Sequence, residues 1–175
     1  MCPAASWLLT DVKNFFSPSE TGIFVDSMHN LYVVDYASHQ ILKWEKDSIT
    51  GSVVAGGHGQ GNVPNQLKPP EDIVVDKSGA MFITHENGVK SWTQDVSSGV
   101  TIIASNTEQF NGITMDDQEK YFYVMQETRV VRYDKNGPNS MTVAEGNGRG
   151  SALNQIYYGK SLYVNCFFFL YFIEL

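Results

Sequence analysis

A glycine-rich segment, Gly57-His58-Gly59-Gln60-Gly61, is the first part of the chain whose residue types could do chemistry. It follows a β-branched run that is typical of a strand, and glycine-rich turns after strands can wrap phosphate groups. A phosphate loop needs a helix amino terminus or a Lys-Ser/Thr pair next, whereas Asn62-Val63-Pro64 follows here. A similar segment, residues 146–150, occupies the corresponding place further along. Because it recurs, we interpret it as a linker.

The histidines and the potential nucleophiles show no spacing that is typical of a catalytic or metal site. No two of the four histidines have the i, i+4 or short-loop spacing of a metal-binding pair. No Ser or Cys has a visible base partner, although triads can be assembled from distant residues. We therefore interpret the histidines as structural. They are His29, His39, His58 and His85.

A four-strand unit that recurs along the chain must position these side chains. In each copy an Asp closes a first apolar run, a second run begins five residues later, and a third run ends on an aromatic residue. The aromatic residue lies 18, 16 and 17 residues after the Asp (44−26, 92−76, 133−116). We expect these aromatic residues to pack between neighbouring units. The landmarks are Asp26, Asp76 and Asp116, with Trp44, Trp92 and Tyr133.

The spacing and the composition of the units predict an all-β fold, a β-propeller. Successive units are 50 and 40 residues apart (76−26, 116−76), which is the spacing of propeller blades. Their strands are apolar at consecutive positions because both faces of a blade pack on neighbours. The blades are predicted at about 22–61, 70–105 and 110–150, with a partial fourth at 153–165. A propeller closes with four or more blades, so the ring is predicted to be incomplete.

The first unit resembles an NHL repeat. It has the pattern Gly-Ile-x-Val-Asp at 22–26, Leu-Tyr-Val-x-Asp at 31–35 and His-x-Ile-x-x-Trp at 39–44. The resemblance extends over 22–165 and implies a six-bladed, TolB-like propeller that serves as a binding scaffold, with His39 in a turn. Later units depart from the pattern: His85 and Met125 stand where Asp35 stands in the first, and Asp72 replaces the expected Gly.

Residues 110–124 also resemble the regucalcin and gluconolactonase family of six-bladed propellers. That resemblance implies Ca²⁺ at the propeller axis and lactone hydrolysis, with Asn111 as one metal ligand and Glu71 roughly in the place of another. Calcium takes six to eight oxygen ligands, and the later Asp-Gly ligand segment of the family has no counterpart here. The alternative interpretation, which we favour, is that Asn111-Gly112 forms a turn that leads into an inner strand.

The charge of the chain argues against nucleic acid as a partner. The net charge is −7 and the pI is near 4.9, whereas phosphate backbones are bound by clustered Lys and Arg. The nearest approach to such a cluster is interspersed with acidic residues, so we interpret it as solvated blade edges. Its members are Arg129, Arg132, Lys135 and Arg149.

The two ends of the chain lie outside the repeat pattern. We expect residues 1–21 to form an outer strand of an adjoining blade; they make a poor signal peptide because no basic residue precedes the apolar stretch. Residues 166–175 form an apolar tail that is too short to span a bilayer. Cys2 and Cys166 do not make a disulfide framework. The sequence indicates no particular cellular compartment.

These observations predict a non-catalytic propeller that acts as a binding or protein-interaction scaffold without a cofactor. Its first strands would line a central channel, and its loops would contact a protein or small ligand. Open blade faces would promote self-association. The alternative function is a relict calcium-dependent lactonase, with Ca²⁺ held by Asn111 and Glu71.

Overall fold

A computed structural model describes residues 20–93, 96–105, 108–137, 139–145, 159–164 and 170–174. This part of the chain is built from β-strands and turns, and it contains no helix long and apolar enough to cross a membrane. The strands are β1 (Glu20–Val25), β2 (Leu31–Asp35), β3 (Gln40–Trp44), β4 (Gly51–Gly56), β5 (Pro70–Val75), β6 (Met81–His85), β7 (Gly88–Trp92), β8 (Val100–Ala104), β9 (Phe110–Met115), β10 (Tyr121–Gln126), β11 (Arg129–Asp134), β12 (Ser140–Glu145), β13 (Gly159–Val164) and β14 (Leu170–Glu174).

The strands form three four-stranded antiparallel meanders and one hairpin. Blade 1 is β1–β4, blade 2 is β5–β8, blade 3 is β9–β12, and β13 and β14 form a two-stranded sheet. The first strands β1, β5, β9 and β13 contact one another in this order, so they are the inner strands of a curved row of blades. All twelve strands predicted for the three complete units are confirmed, as is the all-β architecture.

The recurring Asp builds the turn between the first and second strand of each blade. The Asp26 carboxylate accepts hydrogen bonds from the backbone N–H groups of Met28 and Asn30 at 2.9 and 2.8 Å. Asp76 accepts equivalent bonds from Ser78 and Ala80, both at 2.9 Å. Asp side chains commonly stabilise turns in this way. The repeat therefore marks turns, and these Asp residues are structural.

The turn of blade 3 is one residue longer, which changes the register expected from the sequence. The Asp116 N–H donates to the carbonyl of Tyr121, five residues on, whereas the Asp26 N–H donates to Asn30, four residues on. As a result Gln126 pairs with the first residue of its inner strand, as Asp35 does in blade 1. The assignment of Met125 to the position of Asp35 was therefore wrong.

The apolar core lies between the blades. One cluster joins blade 1 to blade 2 and contains Tyr32, Ile41, Ile83 and Trp92 among its buried members. A second cluster joins blade 2 to blade 3. The expected packing of the third-strand aromatic residue is confirmed for Trp92, which is 2% exposed. Tyr133 packs against the second cluster, and Trp44 is half-buried over Gly51.

The end of the chain differs from the expected apolar tail outside the repeat. Leu170–Glu174 forms β14 and pairs antiparallel with β13, and Val164 faces Leu170 as Val25 faces Leu31. Leu162–Val164 belongs to the inner strand of this unit. The signal lies in the sequence: Asn165 precedes Leu170 by five residues, as each Asp precedes its second strand in blades 1 to 3. Residues 1–19, 153–158 and both cysteines lie outside the described residues.

Candidate functional site

A groove runs along the inner strands, and we call it the axial groove. It has a volume of about 590 Å³ and is lined by β1, β5, β9 and residues 162–164 of β13. Thr21, Gly22 and Asp72 lie at one end, and Asp26, Asp76 and Asp116 lie at the other. We call these the bulge end and the turn end. The groove is the channel that the sequence predicted for the inner strands.

A β-bulge recurs at the bulge end of every inner strand. In β1, for example, Glu20 pairs with Asp35 and Gly22 with Val34, so that Thr21 is an extra residue. Glu71 and Lys160 are the extra residues of β5 and β13, and the bulge of β9 contains Asn111. Bulges re-aim side chains and are frequent beside binding sites. Four neighbouring strands thus carry the same irregularity around one mouth of the groove.

Glu71 and Asn111, the two residues that the sequence nominated for calcium, lie in adjacent inner strands at the bulge end. They occupy equivalent bulges of these strands. The backbone carbonyl of Asn111 accepts a hydrogen bond of 2.5 Å from the Thr84 hydroxyl. Two side-chain oxygen donors are far short of the six to eight that calcium takes. The described residues also contain no group of three or more His, Cys, Asp or Glu side chains placed to hold a metal. This donor set by itself does not fit a calcium ion.

Asp72, which replaces the glycine of the repeat, places a carboxylate between three inner strands. Its two oxygens accept hydrogen bonds from the backbone N–H groups of Ile73 and Ile113, each at 2.9 Å. Gly22 lies against it, and a Cβ there would come within 2.7 Å of Oδ1. Asp72 as a whole residue is partly exposed, but its carboxylate group is enclosed by the neighbouring strands. This burial raises the pKa of Asp72 to about 7, against the lowering effect of the two N–H groups.

We expect Asp72 to make the stability of the protein depend on pH. Between about pH 4 and pH 7 the folded carboxyl holds a proton that the unfolded one has lost. The free energy of unfolding should therefore fall as pH rises through this window, by up to about 4 kcal/mol. Asp72→Asn, which cannot ionise, should lack this component. Urea unfolding of the parent protein and of the variant at several pH values measures this component. If the free energy of unfolding of the two proteins changed with pH in parallel, the prediction would be contradicted.

At the turn end a buried ion pair joins blade 2 to blade 3. Lys135 Nζ lies 2.6 Å from Asp76 Oδ2, with side-chain exposures of 17% and 3%. Burial of Asp76 opposes ionisation, but the hydrogen bonds from Lys135, Ser78 and Ala80 outweigh it and lower the pKa of this carboxyl. Around this pair, Lys77 donates to the Asp117 carbonyl and lies 3.7 Å from Glu119. The turn end is therefore an inter-blade contact.

The structure disperses the basic residues that the sequence had grouped. Arg129 pairs with Glu108 at 2.5 Å, the Arg132 guanidinium lies 4.2 Å from the centre of the Tyr121 ring, and Lys135 pairs with Asp76. Arg149 and the glycine-rich segment 146–150 lie outside the described residues. The absence of nucleic-acid binding stays a prediction.

Two of the four histidines and the first glycine-rich segment have backbone roles. His29 and His39 adopt φ values of 67° and 55° in turns, as the resemblance implied for His39. Gly56 has a φ of 71°, and a Cβ there would approach the His39 carbonyl to 2.3 Å. The segment that follows leads from β4 to β5, which confirms its interpretation as a linker.

Sequence reasoning missed two features of this region. Asp72 was noted only as a departure from the glycine of the repeat, yet a carboxylate in a position that packs against a neighbouring backbone is itself a signal of a special environment. The pair of Lys135 and Asp76 joins residues 59 positions apart. No local pattern in the sequence marks it, because it depends on how two blades pack.

The known proteins to which the chain is similar were found by structure. No protein-family model and no curated protein matches the sequence. A streptogramin B lyase structure shares 12% identity with a TM-score of 0.66, over 89% of this chain and 48% of that one. A gluconolactonase from Xanthomonas campestris shares 14% identity with a TM-score of 0.66, over 87% and 55%. A chain of a nidogen/laminin complex shares 15% identity with a TM-score of 0.68, over 85% and 53%.

These similarities concern the fold alone, since all three identities are low. The neighbours are propeller-type proteins, and they include both enzymes and a protein in a protein–protein complex. The chain spans about half the length of each structure that it matches. The chain contains three four-stranded blades and a further hairpin, which agrees with this partial coverage of the matched propellers. The chain is part of a β-propeller.

Proposed function

We propose that the chain is a non-catalytic binding module of NHL-like type, and that its contact surface is the bulge end of the axial groove. The observation that carries this proposal is the difference between the two ends of the inner strands. The turn end repeats one residue, with Asp26, Asp76 and Asp116 in equivalent turns. At the bulge end the same backbone irregularity recurs in each inner strand, but a different residue occupies it in each strand.

The residues at the bulges differ in chemistry, which supports recognition of a partner. Thr21, Glu71 and Asn111 carry a hydroxyl, a carboxylate and an amide group at the corresponding bulges of three neighbouring inner strands. A rigid scaffold that presents variable polar groups in fixed places is how β-structures commonly build binding sites. The partner that fits this set is a polar segment of another protein, bound by hydrogen bonds and charge.

Peptides selected from a random display library on the purified protein test this proposal. We expect the selected peptides to bind about tenfold more weakly to Glu71→Ala and to Asn111→Ala, which is the effect of losing one charged or polar contact. Lys77→Ala at the turn end, 68% exposed, is the matched control and should bind as the parent does. Peptides that bind all three variants equally would place the contact surface elsewhere.

Calcium titration separates this proposal from the lactonase alternative. Because the bulge end supplies two nominated oxygen donors, calorimetry should give no calcium affinity tighter than about 1 mM. Asn111→Ala should change nothing in that measurement. Micromolar binding that Asn111→Ala abolishes would favour the calcium-dependent hydrolase over the scaffold.

We further propose that the 175-residue chain by itself associates with a second copy through its open blade faces. Ile23 and Val25 of β1 are 62% and 51% exposed, whereas their counterparts in β5, Ile73 and Val75, are 2% and 7% exposed because blade 1 covers them. Tyr163 of β13 is 62% exposed at the other end of the row. Within this chain, a face of this kind is covered by a neighbouring blade, as blade 1 covers blade 2. Two copies together match the length of the neighbours, which supports a second copy as the occupant.

Light scattering coupled to size exclusion tests the association. Each large apolar side chain removed from water contributes about 1.5–3 kcal/mol, so we expect a dimer or a larger species. The double variant Ile23→Asn, Val25→Thr should shift the protein to a monomer. Val100→Thr with Ile102→Thr, on an outer strand and also exposed, is the control and should leave the mass unchanged. A monomeric parent protein would contradict the proposal.

A further inference from the structure

A second cavity lies in blade 2, outside the axial groove, between the linker from blade 1 and the strands β7 and β8. Its volume is about 230 Å³. The polar side chains that line it are Asn62, Lys68, His85, Asn87, Lys90, Thr101 and Ser105. No Asp or Glu is among the described residues that line it. Two ammonium groups thus share a small cavity without a carboxylate, in a chain whose net charge is −7.

Lys90 is the most buried of these groups. Its residue exposure is 4%, and its Nζ donates to the backbone carbonyls of Val63 and Gln66 at 3.0 and 2.6 Å. An ammonium group has three donors, so two are used by the linker. Within the described part of the chain Lys90 has no ion-pair partner, and burial lowers its pKa. Its Nζ also lies 5.7 Å from the centre of the Trp92 ring. A buried cation that is held by carbonyl dipoles and an aromatic ring, without a carboxylate, is stabilised when an anion binds beside it.

Lys68 closes the cavity from the linker side. Its Nζ donates to Asn87 Oδ1 at 2.5 Å, which leaves the amide nitrogen of Asn87 as a donor. The Ser105 N–H donates to the Asn87 carbonyl at 2.9 Å and fixes the end of β8 against this turn. Lys68 likewise forms no ion pair within the described residues. The donors are therefore held on three separate segments around one space.

His85 adds a further donor. Its Nδ1 accepts a hydrogen bond of 3.4 Å from the backbone N–H of Asn87, so the neutral ring carries its hydrogen on Nε2. Burial, together with the positive charges of Lys90 and Lys68, lowers the pKa of His85 to about 4. The ring therefore lies in a positive environment, and no carboxylate contributes to its pKa. A bound anion would offset this positive charge.

We propose that this cavity, which we call the blade 2 cavity, binds a small oxyanion, the phosphate or carboxylate group of a small molecule, through Lys68, Lys90, His85 and Asn87. A water molecule occupies about 30 Å³ in the liquid, so the space holds one such group and a few waters. Ammonium and amide donors are the groups that bind oxyanions in proteins. The proposal does not depend on the bulge end or on the proposed scaffold function.

Titration of the full chain with inorganic phosphate and, separately, with acetate tests the proposal. Calorimetry should give saturable binding tighter than about 10 mM for at least one of them. The ring signals of His85 in NMR spectra should move along the same binding curve, while those of His29, in the turn between β1 and β2 of blade 1, should stay in place. A preference for phosphate or for acetate distinguishes a tetrahedral from a planar group.

Variants at the rim of the cavity locate the site. Lys68→Met should weaken binding about tenfold, which is the effect of losing one charged hydrogen bond, and Lys68→Arg should retain most of it. Lys77→Met removes an exposed lysine elsewhere and is the control for net charge. Saturable binding of neither anion, an unmoved His85 signal, or equal affinity in Lys68→Met and the parent protein would each overturn the proposal.

Discussion

Replacing Trp92 by alanine should lower the free energy of unfolding by about 3–5 kcal/mol, as large truncations in well-packed cores do. Trp92 is 2% exposed and belongs to the cluster that joins blade 1 to blade 2. Its Nε1–H also donates to the Val96 carbonyl at 2.7 Å. The variant would therefore lose inter-blade contacts and one partly buried hydrogen bond. Urea unfolding monitored by circular dichroism measures the change.

Trp44 is the matched control for Trp92. It ends the third strand of blade 1 as Trp92 does in blade 2, and it is half-buried over Gly51. Trp44→Ala should therefore cost less than Trp92→Ala. Trp92→Phe should recover most of the loss, since the ring still fills the space. Equal losses for the two alanine variants, or none at Trp92, would contradict the inter-blade role.

Replacing Lys135 by methionine should destabilise the protein by about 3 kcal/mol, because it leaves the Asp76 carboxylate buried without its cation. The Asp76 side chain is 3% exposed, and its remaining partners are hydroxyl and amide groups of its own turn. The folded-state pKa of Asp76 is lowered, so its stabilising contribution is present above the ordinary carboxyl pKa and is lost as pH falls through the folded value. The variant should show less of this acid sensitivity.

Lys77 provides the comparison at the same inter-blade contact. It lies 3.7 Å from Glu119 but is 68% exposed, and exposed pairs contribute about 0–1 kcal/mol. Lys77→Met should therefore be close to neutral. A double-mutant cycle of Lys135→Met with Asp76→Asn isolates the coupling between the two groups. A coupling near zero, or equal effects of the two lysine variants, would show that the pair does not hold the blades together.

The strands could be predicted from the sequence because the repeat is made of local signals. Asp26 and its counterparts accept hydrogen bonds from residues two to five positions later, so the turn chemistry is contained in a short segment. Apolar runs between such turns predict strands, and their recurrence predicts blades. For the same reason the sequence also contains the signal for β14, in the spacing from Asn165 to Leu170.

The tertiary structure alone decided the register of blade 3 and the environment of the functional candidates. One extra residue after Asp116 moves Gln126 into the position of Asp35, and the hydrogen bonds across the strands are what establish this. The enclosed carboxylate of Asp72, the pair of Lys135 with Asp76, and the cavity around Lys90 each join segments that are distant in the sequence.

These features share one physical cause. Burial and charge depend on which blade packs against which, and the repeat pattern is nearly the same for every blade. The sequence by itself therefore determined where the strands and turns are, through interactions within a few residues. Only the packing of one blade on the next decided which carboxylate is enclosed and which lysine is paired, because desolvation and Coulomb energies depend on distances in space and not on spacing along the chain.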